Sequence, residues 1–131
     1  SQMQRLDEFV AKRHILQERY DSLLSNLPII KPYQDIDSYS ALHLYPIQID
    51  LNKVSKNREQ IFNALTENGI GVNVHYIPIH TQPYYLQFGF NEGDFLNSEA
   101  YYRRAISIPL FHKMTLGQQD TVIDLLKRVL Q

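Results

Sequence analysis

GIGVNVHYIPIHTQPYY, residues 69–85, decides how this chain is read. Its first half alternates: Ile70, Val72, Val74 and Tyr76 against Gly71, Asn73, His75 and Ile77. Period-two alternation marks a half-buried strand, whose successive side chains point to opposite faces. Asn68-Gly69, just before it, is a helix-stopping pair. From Val74 the stretch changes character, with two histidines, three tyrosines and two prolines in twelve positions. Each buried imidazole or phenol needs a hydrogen-bond partner. Pro78 and Pro83 fix φ and stiffen the loop. A rigid loop loaded with polar rings suits a surface that meets a ligand or another domain.

Strand parity assigns provisional roles. If Val72 and Val74 face the core, Asn73 and His75 face the other way, toward solvent or a partner. Tyr76 shares the core parity and is expected to be filler with a tethered hydroxyl. His75 and His80 lack the spacing of a zinc pair, and no third ligand is marked. His80 has the titration range of a general base, but no motif supplies a nucleophile.

Working outward, Met3, Leu6, Phe9, Val10, Leu16, Tyr20, Leu23 and Leu24 recur at helical spacing, which predicts a helix from about residue 3 to 25. The chain reads as opening inside a helix, with Ser1 as the only N-terminal signal, and so as a piece of something larger. Ile29-Ile30 is a short strand. Residues 41–51 form the best strand, with its phase broken at Pro46, which predicts a bulge or an edge there. His43 within it is expected to be partly buried. Asn57 with Gln60 caps a helix over residues 57–68. Residues 82–88 make a helical turn ended by Gly89. Asn97 is expected to cap a helix to about Ala105. Residues 106–110 are a strand, and Thr115 with Gln118 opens the last helix. The order α-β-β-α-β-(α)-α-β-α implies one two-layer α/β (α+β) domain with an early antiparallel pair.

The 131 residues fit one domain. A net charge of −1 and the lack of a basic run exclude a dedicated nucleic-acid binder. The absence of cysteine excludes disulfides, thiolate zinc sites and a thiol nucleophile, and fits a reducing cytoplasm. No apolar stretch approaches the roughly 20 residues that span a bilayer, and no signal peptide is visible. Tyr84-Tyr85 and Tyr101-Tyr102 are each expected to place one ring inward and one outward.

These residues together resemble the C-terminal small domain of the DegT/DnrJ/StrS family of pyridoxal-phosphate-dependent nucleotide-sugar aminotransferases, in its PseC-like branch. The match runs through Leu6-Asp7-Glu8-Phe9, Arg13, Tyr20, His43-Leu44-Tyr45-Pro46-Ile47, Gly69-Ile70-Gly71-Val72, His75-Tyr76-Ile77-Pro78-Ile79-His80, Gln82-Pro83-Tyr84-Tyr85 and Ser107-Ile108-Pro109-Leu110-Phe111. It covers essentially residues 1–131.

The resemblance implies the small domain of an aspartate-aminotransferase-like enzyme (fold type I), with a short, mostly antiparallel sheet packed with helices. It implies a parent that moves an amino group, from glutamate, to a nucleotide-linked 4-keto sugar in surface-polysaccharide or flagellin-glycan synthesis. The pyridoxal 5'-phosphate and its lysine would belong to a large domain absent from this chain, so the isolated piece is expected to be inactive. His75, Tyr76, Ile77, His80 and Tyr84 are the implied substrate-binding residues. The implied partners are a nucleotide-diphosphate sugar, an amino-acid donor and, in the parent, a second subunit; nucleic acid and membrane are not among them. The competing reading is a freestanding α/β ligand-binding or protein-interaction module without catalysis.

Overall fold

The computed structural model describes residues 2–131; Ser1 lies outside them. A 3-10 turn at Gln2–Arg5 leads into α1 (Leu6–Leu23). Then come β1 (Ile29–Ile30), β2 (Tyr45–Ile49) and α2 (Arg58–Glu67). A 3-10 turn at Ile79–Thr81 precedes α3 (Pro83–Leu86), α4 (Leu96–Tyr102), β3 (Ala105–Ile108) and α5 (Leu116–Val129). The sheet is antiparallel in the order β1-β2-β3. This is the expected α+β fold, with helices on one face of a short sheet.

Burial explains the layering. Tyr45, Ile47 and Ile49 are fully buried on β2, while Pro46 and Gln48 between them are half-buried. Ile106 and Ile108 continue the same apolar face on β3 and join Leu16, Tyr20, Ile61, Leu65, Val122 and Leu126 from the helices. Burying such a side chain contributes about 1.5–3 kcal/mol. The two tyrosine hydroxyls inside the core are paired. Tyr20 donates to the Pro109 carbonyl at 2.9 Å, and Tyr45 donates to Asp21. Burial, then the Asp21 hydrogen bond, push the Tyr45 phenol well above its ordinary range, so it stays a donor. Gln119, fully buried on α5, ties that helix to α1 through the Leu16 carbonyl at 2.7 Å.

The helix signals at Asn57, Gly69 and Thr115 are present. Asn57/Gln60 and Thr115/Gln118 both form reciprocal capping boxes. Gly69 closes α2 at φ 80°, where an L side chain is disfavoured, and the Ile70 N–H returns to the Leu65 carbonyl. Asn97 does not cap α4: the N-cap position is Phe95, and no side chain caps it.

Three strand expectations are corrected. First, the strand expected over residues 41–51 contracts to Tyr45–Ile49, because Leu42 turns into the core at φ 48° before pairing starts. His43 therefore lies outside the strand and is exposed, not partly buried. Second, Pro46 makes no bulge, since the register runs unbroken from Tyr45↔Ile108 to Gln48↔Ala105. The Ile49 N–H bonds to Arg104 and the Asp50 N–H to Pro28. Even-numbered nitrogens on β2 thus face β1, and the Pro46 nitrogen lies two residues past the last β1 pair, Ile30↔Gln48. The proline occupies a local edge inside a central strand. Third, residues 70–77 form no ladder. Asn73 alone pairs with Ser107, through bonds of 3.1 and 2.8 Å. The Asn73 side chain then takes the Val74 N–H at 2.8 Å, diverting the next backbone donor.

Candidate functional site

The single Asn73↔Ser107 bridge decides where the following loop goes. Ile106 and Ile108 face the helices, so Ser107 and its bridge partner Asn73 lie on the opposite face of the sheet. His75 reaches that same face, with its Nδ1 2.8 Å from the Ser107 hydroxyl. When the hydroxyl donates to Nδ1, the ring proton sits on Nε2, which has no hydrogen-bond partner among the described residues. The imidazole is half-buried and meets the Tyr76 ring edge-on at 4.7 Å.

Tyr76 is not core filler. It is 73% exposed, because strand parity ends where the ladder ends. Ile77 is 52% exposed and Tyr84 63%. Tyr84 meets Tyr85 and Phe88 edge-on at 5.2 and 5.4 Å, fixing its ring on α3. Tyr84 faces outward while Tyr85 is half-buried, as expected; Tyr101 and Tyr102 are both half-buried.

His80 sits apart from His75. It is 7% exposed, and its Nε2 lies 2.8 Å from Glu99 Oε1. Glu99, only 5% exposed, also accepts the Gly93 N–H at 2.8 Å. The pair thus ties the Ile79–Thr81 turn to α4 and to the turn between α3 and α4. The His80 ring packs on Phe95 at 4.8 Å. Ile79, His80, Tyr85, Phe90, Phe95 and Ser98 line a mostly apolar cleft of ≈ 340 Å³. The two histidines therefore anchor to different elements and do not converge on one point.

Glu99 escaped the sequence reading. The only signal was that a histidine in a proline-braced loop needs an acceptor, and Glu92, Asp94 and Glu99 were equal candidates. Its carboxyl is held below the ordinary 4.5, first by the His80 hydrogen bond and then by the Gly93 N–H. A depressed carboxyl adds stability above its unfolded value, lost as pH falls through the folded one. Unfolding by urea at about pH 7 and about pH 3 should show this. Glu99→Gln should narrow the difference in stability between the two; an unchanged difference would mean the pair adds nothing to acid sensitivity.

The arrangement can bind and orient but does not by itself catalyse. Ser107 is buried and no carboxylate orients His75, so their contact is not a nucleophile–base pair. A pyridoxal cofactor needs a lysine at its carbonyl. None lines this face: the clefts beside His80 and Ile77 contain no lysine, Lys12 pairs with Glu8, Lys53 with Asp50, Lys31 bonds the Asp21 carbonyl, Lys56 the Val129 carbonyl, Lys113 lies beside His112 and Lys127 in the last turn of α5. The residues present do not fit as the cofactor's holder.

Comparison with known proteins follows this geometry. The model of the DegT/DnrJ/EryC1/StrS aminotransferase family matches residues 1–127. The spore coat polysaccharide biosynthesis protein SpsC of Bacillus subtilis is 37% identical over 99% of this chain and 34% of its own length. Spr1654 of Streptococcus pneumoniae, 26% identical, superposes with a TM-score of 0.88 over 98% of this chain and 32% of its own; it is also known in PLP and PMP forms. Helicobacter pylori PseC, an aminotransferase of pseudoaminic acid biosynthesis, shares the fold with a TM-score of 0.89 at 24% identity, over 99% of this chain and 35% of its own. The chain spans about a third of the length of these relatives.

Proposed function

Because the chain belongs to the DegT/DnrJ/EryC1/StrS aminotransferase family, we propose that residues 1–131 are the C-terminal small domain of a pyridoxal-phosphate-dependent sugar aminotransferase. The parent transfers an amino group from glutamate to the 4-keto carbon of a nucleotide-linked sugar, in surface-polysaccharide or flagellin-glycan synthesis. The family match along nearly the whole chain carries this reading. The cofactor, when bound by the remainder of the parent, serves as electron sink and amino carrier.

This chain supplies one wall of the cleft. Tyr76, Ile77 and Tyr84 present exposed apolar area to the sugar. His75 offers its Nε2 to a sugar hydroxyl or phosphate oxygen, with the ring set by Ser107. His80, engaged by Glu99 at Nε2, holds the wall in place and keeps only Nδ1 for a ligand oxygen. Exposed Ile79, Leu86, Phe88, Phe95 and Leu96 extend the wall into an apolar surface. We assign that surface to contact with the rest of the parent and its second subunit. Residues 1–131 alone are inactive in this reading, and the parent works in the cytoplasm. Among the described residues no helix is long and apolar enough to cross a membrane.

The test is a visible spectrum of the full-length parent. Bound pyridoxal phosphate gives a band, which glutamate should bleach and a 4-keto sugar nucleotide should restore. A colourless protein that takes up no added pyridoxal phosphate would favour the freestanding module instead.

A further inference from the structure

The start of α1 and the connection over residues 109–115 border an open cavity of ≈ 360 Å³, which shares no lining residue with the His80 cleft. Gln2, Arg5, Phe9, Arg13, His112 and Lys113 line it. Arg5, Phe9 and Arg13 follow at intervals of four, so one helical face presents all three. Phe9 stacks on His112 with ring centroids 3.9 Å apart. The Arg5 guanidinium lies over the other ring of this pair, 4.9 Å from the Phe9 centroid. The stack joins two segments distant in sequence and fixes the cavity's wall.

The charges around this wall do not balance. Glu8 is shared between Arg5, at 3.3 Å, and Lys12, at 2.7 Å. Arg13 is half-buried, and its one hydrogen bond goes to the Ala41 carbonyl at 3.1 Å. Lys113 is exposed and forms no ion pair among the described residues. The His112 imidazole is pushed below its ordinary range, first by burial and then by Lys113, Arg13, Arg5 and Lys12. Four positive side chains thus act on one ring, and among the described residues Glu8, shared by Arg5 and Lys12, is the carboxylate paired with them. A scattered solvated patch has no such concavity and no stacked wall.

We propose that this cavity binds the phosphate group of a small ligand, with Arg5, Arg13 and Lys113 as its charge partners and the Phe9–His112 stack as its wall. Three cations against one shared carboxylate suit a dianion better than a single carboxylate. Guanidinium forks match the spacing of phosphate oxygens. The cavity is larger than a phosphate and leaves room for an ester group. The proposal does not depend on the aminotransferase reading.

The experiment follows the His112 imidazole by NMR in the full-length protein while inorganic phosphate is added. A local readout separates this cavity from phosphate bound elsewhere. The His112 signal should shift to saturation, and its titration midpoint should rise, because the bound anion offsets the surrounding cations. The double variant Arg5→Gln/Lys113→Gln should bind about tenfold more weakly; it leaves the Arg13 bond to Ala41 intact. Glucose 1-phosphate binding more tightly than inorganic phosphate would identify the ligand as a phosphate ester, and equal affinity would identify free phosphate. A shift no larger than sodium chloride gives at equal ionic strength overturns the proposal. So does a double variant that responds like the parent.

Discussion

Replacing Ile47 by alanine should lower the unfolding free energy by about 3 kcal/mol. Ile47 is fully buried on the central strand and pairs in register with Ile106, which is equally buried. Both side chains face the helix layer at the middle of the core. Truncation removes the transfer energy of the deleted carbons and leaves a cavity that strands on both sides keep from collapsing. The loss is a large share of the roughly 5–15 kcal/mol that holds a domain folded. Urea unfolding followed by circular dichroism measures it. Ile15→Ala, at an exposed position of α1, is the control and should stay within about 0.5 kcal/mol. Equal effects for the two would mean that the sheet does not form the core described here.

The second large effect concerns His75 in the full-length aminotransferase proposed above. His75→Ala should reduce kcat/KM for the sugar nucleotide by about 10- to 100-fold, the value of one hydrogen bond to a charged group. Nδ1 is held by Ser107 and Nε2 has no hydrogen-bond partner among the described residues, so the ring is already oriented before a ligand arrives. If His75 binds ground state and transition state alike, KM rises and kcat holds. If the contact tightens only in the transition state, kcat falls. Ser107→Ala keeps the imidazole but releases its orientation, and should cost less than His75→Ala. Thermal unfolding of each variant checks that the fold survives. Unchanged kcat/KM in His75→Ala would remove His75 from the substrate wall.

How much was legible depended on whether a signal was local. Asn57 with Gln60 and Thr115 with Gln118 act within one helical turn, and both boxes are present. Ile29-Ile30 and the strand expected over residues 41–51 were legible as an early antiparallel pair, although only Tyr45–Ile49 of the latter is strand. The strand expected over residues 70–77 was not, because alternation describes a strand only where a partner continues beside it. Here β3 offers a single pair, at Ser107, and Asn73 bonds the next N–H to itself. Parity then fails beyond His75, which is why Tyr76 lies outside rather than in the core. His75 was placed correctly on the far face because it is only two residues past the bridge. Glu99 was illegible for a different reason. Its partner His80 lies 19 residues earlier, and only the path of the intervening turn selects it over nearer carboxylates.

Pro46 has a consequence for how copies of this molecule behave when crowded. A sheet grows into fibrils when a foreign strand finds unpaired donors along a free margin. On the β1 side of β2, Gln48 is taken by Ile30, and Pro46 is the remaining position within the strand that would offer a donor there. Its ring nitrogen carries no hydrogen. An incoming chain finds no N–H donor along that stretch, only the Pro46 carbonyl, so this margin makes a poor template for a further strand and needs no charge placed beside the core.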